Sequence, residues 1–339
     1  METLKSDISN YRNLLKHYIE VRDEQSLYGA EQISKMFIKN NVPPEEIINL
    51  HIQALEELHP DMPDYFRHSM NFLLEIMISY GIAHQEHHSL REEQSELKSE
   101  IAMAAGMQET LLATTKPEID CLDIGVVSVS ANQMSGDYYH FLKGRDDSIG
   151  IAIADVIGKG IPAALCMSMI KYSMDSFPEA TMNPKTILKN LNRVVERNVD
   201  AGMFITMFYA QYIPSESKIR YASAGHEPGF YYNAQTQKFE EIKAKGLVLG
   251  VSPEADYRQY ERVIHSGDMV VLLTDGVTEC KQGDRFIEIE EVLDVLNQYS
   301  DLPAQEMVDK AYKHFERMQN FQFRDDFTLM VLKKEADGQ

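Results

Sequence analysis

Two regimes of hydrophobic spacing divide the chain. In residues 1–84 the apolar positions recur at helical spacing. Leu14, Leu15, Tyr18 and Ile19 share one face, and Leu27, Ala30, Ile33, Met36 and Phe37 follow every three or four residues. The turn Asn40-Asn41-Val42-Pro43-Pro44 stops one helix and starts the next, with Glu45 and Glu46 in its first turn, where the helix dipole favours anions. Ile47, Ile48, Ile52, Leu55 and Leu58 line that helix. After His59-Pro60-Asp61-Met62-Pro63, the residues Phe66, Met70, Leu73, Leu74, Met77 and Ile78 line a fourth. Four short helices with short loops predict a small bundle. It holds no cluster of catalytic residue types, as befits an interaction module over residues 1–84.

Residues 85–118 form a linker of different character. Leu90, Leu97, Ala104 and Leu111 fall every seventh position, Ile101 lies four after Leu97, and Gln94 and Gln108 take the other d-like sites. Three loose heptads with polar seam positions make a weak coiled-coil pattern, and a solvated connecting helix explains them equally well. If the helix pairs, two copies run side by side as a homodimer. Lys116-Pro117 closes the segment, because proline ends a helix at the preceding residue.

From about residue 119 the period shortens to two and to short apolar runs. Residues 124–129, 149–154, 204–212, 218–222, 229–232, 262–264, 269–273 and 328–332 read as strands, with helical stretches at 161–176, 185–198, 289–297 and 303–318. Clustered strands with paired helices between them, rather than strict βαβ alternation, predict an α+β domain of antiparallel sheets with helices outside, over residues 119–339.

Composition narrows the function classes. Lys and Arg number 33 against 53 Asp and Glu, a formal charge of −20, and 44% of residues are hydrophobic, ample for real cores. So acidic a chain repels nucleic-acid phosphates and anionic membrane surfaces. Neither is an expected partner. Cys121, Cys166 and Cys280 are far apart and odd in number, which gives neither a disulfide framework nor a paired metal spacing. The first ten residues lack a signal-peptide pattern. The apolar stretch 149–170 contains Asp155, Lys159 and Pro162, poor company for a lipid-facing helix. These features together predict a cytoplasmic protein.

Four aspartates share one local design. Asp137 lies in Ser135-Gly136-Asp137-Tyr138-Tyr139; Asp155 ends the apolar run from Ile149 and leads into Val156-Ile157-Gly158. Asp275 follows Met269–Thr274 and precedes Gly276; Asp325 and Asp326 open the strand at Phe327. Taken singly, a strand-end Asp beside Gly is a turn former. Four at the ends of buried strands carry a desolvation cost of several kcal/mol each unless paired with cations, and no run of Arg or Lys stands near. Oxygen-only ligands without a Cys or His cluster fit Mg²⁺ or Mn²⁺ rather than Zn²⁺. Two such ions about 3.5–4 Å apart would activate a bridging water for in-line attack on phosphorus. The residues alone therefore point to a metal-dependent hydrolase, with phosphate esters as one substrate class.

The strings SGDYYHF, IAIADVIGKGIPAAL, ASAGHEPGFYY, KGLVLGV, VVLLTDGVTEC and RDDFTLMVLK, in that order, resemble the bacterial branch of the metal-dependent protein phosphatase (PPM) family, which holds the sporulation and stress-response serine phosphatases. The resemblance covers residues 120–333 and extends through PPEEII and GIAHQEH into the helical N-terminus. It implies an α/β/β/α sandwich of two antiparallel sheets flanked by helices. It implies two Mn²⁺ or Mg²⁺ ions held by Asp137, Asp155, the Val156 carbonyl, Asp275 and Asp325, with Asp155 and Asp137 at the catalytic centre and Asp326 a weaker match. Gly136, Gly158, Gly160 and Gly276 would let backbone approach the ions. The implied substrate is a phosphorylated anti-anti-sigma protein, and the implied activator is a switch kinase bound by residues 1–84. Two positions depart from the branch: His140 stands where an acid is frequent, and Lys159 where a histidine is frequent. The general acid is left unassigned, with a loop histidine, His226, read as packing or capping. Two rival readings stay open: a catalytically silent docking protein, and a hydrolase of small phosphate esters.

Overall fold

The computed structural model describes residues 2–145, 147–158, 160–199, 202–282, 285–319 and 323–335; Lys159 lies outside the described residues. The chain divides into two compact units, Met1–Lys98 and Ser99–Gln339.

The first unit holds α1 (Glu2–Val21), α2 (Glu24–Lys39), α3 (Pro44–Leu58) and the first part of α4 (Asp64–Leu112). Asp23 caps α2 by accepting from the Ser26 N–H at 3.0 Å, and Pro44 opens α3. Tyr11 of α1 meets His51 of α3 in a 2.7 Å hydrogen bond, beside the buried Phe37, Ile52 and Ala54. The spacing predicts a bundle that ends at residue 84, followed by a separate helical linker. The backbone instead runs on as one helix of 49 residues. No proline interrupts it, and its glycines weaken a helix without breaking it. Leu90, Leu97 and Leu111 are exposed along it, whereas Gln108 is buried.

The second unit is built on two five-stranded sheets. One has the order β1-β12-β9-β6-β7, from β1 (Leu122–Val129), β12 (Phe327–Lys334), β9 (Met269–Leu273), β6 (Gly229–Asn233) and β7 (Lys238–Ile242). The other has the order β2-β3-β4-β5-β8, from β2 (Asp137–Lys143), β3 (Ile149–Val156), β4 (Ile205–Ile213), β5 (Lys218–Ala224) and β8 (Tyr260–Val263). Every pairing within them is antiparallel. Two short strands, β10 (Lys281–Gln282) and β11 (Arg285–Phe286), pair apart from both. The helices are α5 (Ile161–Asp175), α6 (Pro184–Asn198), the single turn α7 (Asp275–Thr278), α8 (Ile289–Gln298) and α9 (Ala304–Met318).

Three apolar layers hold the sandwich together. Ile151, Ile153, Phe208, Val270, Leu272, Met330 and Leu332 fill the space between the sheets. Ala152, Ala154 and Tyr209 face Met167, Ile170, Leu188 and Leu191 of α5 and α6. Val271, Leu273, Leu329 and Val331 face Val292, Leu296, Val308 and Phe315 of α8 and α9. Strand β3 is thus buried on both faces, large residues toward the facing sheet and small ones toward helices, which is why it reads as a continuous apolar run. The α/β/β/α sandwich expected from the resemblance is the fold observed. Cys166 and Cys280 are buried free thiols, and Cys121 is a half-buried one.

Candidate metal centre

The antiparallel register of β2 and β3 sets Asp137 directly opposite Asp155. Across the sandwich, β9 and β12 run side by side, and beyond their paired residues the Thr274 N–H donates to the Thr328 carbonyl at 3.1 Å. Both threonine hydroxyls donate to Asp137 Oδ2 at 2.6 Å. One carboxylate therefore ties the end of one sheet to the end of the other. Asp275 opens α7 just past Thr274, and Gly276 lies so close to the 325–326 turn that a Cβ there would stand 1.9 Å from the Asp326 carbonyl oxygen. The four predicted aspartates, Asp137, Asp155, Asp275 and Asp325, are thus delivered by four strand ends to one edge of the sandwich.

Asp326 has a different task from Asp325. Its Oδ1 accepts from the Ala131 N–H at 2.7 Å, and its Oδ2 accepts from the Gly136 N–H and from the Ser135 hydroxyl at 3.2 Å. Both oxygens go to shaping the 131–136 loop that presents Asp137. Ser135 completes that loop, its Oγ accepting from the Asp137 N–H at 3.1 Å.

Electrostatics mark the spot. Burial pushes the Asp137 carboxyl well above the usual carboxylate range; the two threonine hydroxyls pull it down, and the charges of Asp155 and Asp326 push it up again. A buried carboxylate crowded by two others is what a hard divalent cation relieves. Among the described residues no three acidic, histidine or cysteine side chains are gathered closely enough to hold a metal ion as they stand. The fit to such a cation rests on the all-oxygen donor set and on the space at Gly136. A Cβ there would lie 3.4 Å from Asp155 Oδ1 and from Asp326 Oδ2, and 3.5 Å from the Val156 carbonyl oxygen. Carboxylate and carbonyl oxygens face a gap that only glycine leaves open.

Two histidines near the centre are structural. His226 Nδ1 lies 2.9 Å from the hydroxyl of Thr206, the residue opposite Asp155 on β4, and burial pushes its pKa down to about 4. A neutral, packed imidazole is not a cationic acid at neutral pH. His140 Nε2 lies 2.7 Å from Asp175 Oδ1, at the end of α5, and Lys171 binds the other oxygen at 2.7 Å. Where the family branch often has an acid, this chain has a histidine with its own acid beside it. The sequence reading did not single out Thr274, Thr328 or Ser135. All three lie inside the quoted strings, one to three residues from a key aspartate, and that adjacency is the signal that could have found them.

Residues 145–335 match the family described as Stage II sporulation protein E (SpoIIE), and residues 9–83 match the family described as the N-terminal domain of phosphoserine phosphatase RsbU. Phosphoserine phosphatase RsbU of Bacillus subtilis (strain 168) is 54% identical over 326 residues, spanning 96% of this chain and 97% of the relative. Among solved structures, the SiaA-PP2C domain of Pseudomonas aeruginosa aligns with a TM-score of 0.61 at 18% identity, over 72% of this chain and 99% of that one. The RsbU and RsbW domains of Rv1364c from Mycobacterium tuberculosis align with a TM-score of 0.54 at 20% identity, over 67% and 63% of the two chains. These two likenesses show the fold. Among the described residues no helix is long and apolar enough to cross a membrane. With the family match running over more than half its length, and a relative at 54% identity over nearly all of it, the chain belongs to the SpoIIE family of metal-dependent protein phosphatases, as a phosphoserine phosphatase of the RsbU type.

Proposed function

We propose that this phosphatase removes phosphate from the phosphoserine of an anti-anti-sigma protein of the RsbV kind, with two Mn²⁺ or Mg²⁺ ions at the strand-end centre. Asp137, Asp155, the Val156 carbonyl, Asp275 and Asp325 would hold them. Bound there, the ions would supply Lewis acidity toward the phosphoryl oxygens and the attacking water. The observation that carries the reading is the Asp137 carboxylate, fixed by two threonine hydroxyls from the facing sheet while standing opposite Asp155. With Oδ2 accepting from those hydroxyls, Oδ1 would be the oxygen left for an ion. Asp326 and Ser135 keep the loop in place.

The same reading extends to regulation. Residues 1–84 would bind a switch kinase of the RsbT kind, residues 85–118 would pair two copies into a homodimer, and residues 119–339 would carry the chemistry. The dephosphorylated product would capture an anti-sigma factor and release sigma-B in the cytoplasm. The match of residues 9–83 to the RsbU N-terminal domain and the exposed Leu90, Leu97 and Leu111 support this.

The test is phosphate release from a phosphoserine anti-anti-sigma protein by the full chain, with Mn²⁺ and the kinase partner present. Release is expected to depend on metal and to fall by about 100-fold or more in Asp155→Asn. Metal-independent release, or an unchanged variant, would overturn the assignment.

A further inference from the structure

We propose that Gln108 is a positioning residue of the metal centre: from the last turns of α4 it grips the Ser135 peptide and thereby sets Asp137 and Asp326. The proposal rests on the metal-site reading above. From residue 82 to its end, α4 buries no other side chain. The Gln108 amide is used in both directions. Its Nε2 donates to the Ser135 carbonyl at 2.8 Å, and its Oε1 accepts from the Ser135 N–H at 3.1 Å. Two opposed hydrogen bonds to the N–H and C=O of one residue hold both peptides that flank Ser135, as a hydrogen-bonded residue pair does between antiparallel strands. The Met167 sulfur of α5 lies 3.7 Å from Nε2, so the amide is seated against a packed helix.

From Ser135 the path to the ion site is one residue long. The Ser135 hydroxyl contacts the Asp137 N–H and Asp326 Oδ2, and the next N–H, that of Gly136, also donates to Asp326 Oδ2. Gly136 itself borders the gap between the Asp155 and Asp326 oxygens and the Val156 carbonyl. Removing the amide would leave the half-buried Ser135 N–H and C=O without these partners, and the loop would relax at the point where Asp137 is aimed. The last turns of α4 are therefore a working part of the ion site.

The heptad spacing offers a contrary account, in which Gln94 and Gln108 are equivalent polar flaws in a pairing seam. The two accounts separate cleanly, because Gln94 is exposed. Mn²⁺ binding to the full-length protein is measured by calorimetry, well below the unfolding midpoint of each variant. Wild type is expected to bind, Gln108→Met to weaken the tighter ion by about tenfold or more, and Gln94→Met to match wild type. Gln108→Ala, which adds no bulk, carries the same expectation should methionine disturb folding. Equal shifts in the two methionine variants, or unchanged affinity in Gln108→Met and Gln108→Ala, would overturn the positioning role alone. A wild-type chain that binds no Mn²⁺ would overturn it together with the metal-site reading.

Discussion

Thr206 and His226 show how a single polar pair can be committed to structure beside reactive carboxylates. The His226 imidazole is buried against Thr206, and its backbone N–H donates to the Ser223 hydroxyl at 3.2 Å. Folding lowers its pKa from 6.5 to about 4 because burial penalises the charged ring. In that interval the unfolded chain binds the proton and the folded chain does not, so stability falls as pH falls. The expected slope is about 1.4 kcal/mol per pH unit for this one group. Burial lowers His140 as well, adding in the same direction. Denaturant melts of His226→Gln between pH 7 and pH 4.5 are expected to show a flatter decline than wild type. Parallel curves would mean that His226 takes up its proton as readily in the fold as in the unfolded chain.

At the scale of elements, two glycines make opposite predictions. Gly276→Ala drives a Cβ to 1.9 Å from the Asp326 carbonyl oxygen, a backbone atom that cannot step aside. Its stability is expected to drop by roughly 3 kcal/mol or more, read from denaturant melts. Gly136→Ala meets its neighbours at ordinary contact distance, 3.4 Å and beyond, but occupies the gap faced by carboxylate oxygens. It is expected to melt near wild type and to lose Mn²⁺ binding; retained binding would place the ions elsewhere. The same scale shows what a linear pattern reveals. Apart from the unexpected single turn α7, the helices after residue 160 lie within a residue of their expected ends, since caps and apolar stripes are local. Strand β2 was not expected, because Asp137 and His140 interrupt its apolar run; their partners, Thr274, Thr328 and Asp175, come from distant elements. Strand β7 was also missed, being an exposed edge with alternate positions open to solvent. The continuity of α4 was hidden by a change of composition at residue 85, to which a helical backbone is indifferent. All four aspartates were legible at strand ends. The hydroxyls that hold Asp137 were not, because threonine is an ordinary strand residue and nothing in a periodicity marks what it binds.

Over the whole molecule, the proposed reading puts regulation and chemistry on different stretches of one chain. The proposed division predicts that a chain lacking residues 1–84 keeps metal-dependent phosphate release and loses its response to the kinase partner. Activity assays of the two chains with and without partner check this; an intact response would move the docking surface into the remaining residues. The sandwich also has an order of assembly written into it. Strand β12 lies between β1 and β9, and it follows directly on Asp325 and Asp326. A ribosome that has delivered Asp137, Asp155 and even Asp275 has therefore made a sheet that lacks the strand joining β1 to β9, and a centre without its last acids. Such contacts between the start and the finish of a domain close late. On the proposed metal-site reading, a nascent chain cannot assemble its ion centre until Phe327–Lys334 has been made and seated, so phosphate release is expected to begin only once that strand is paired.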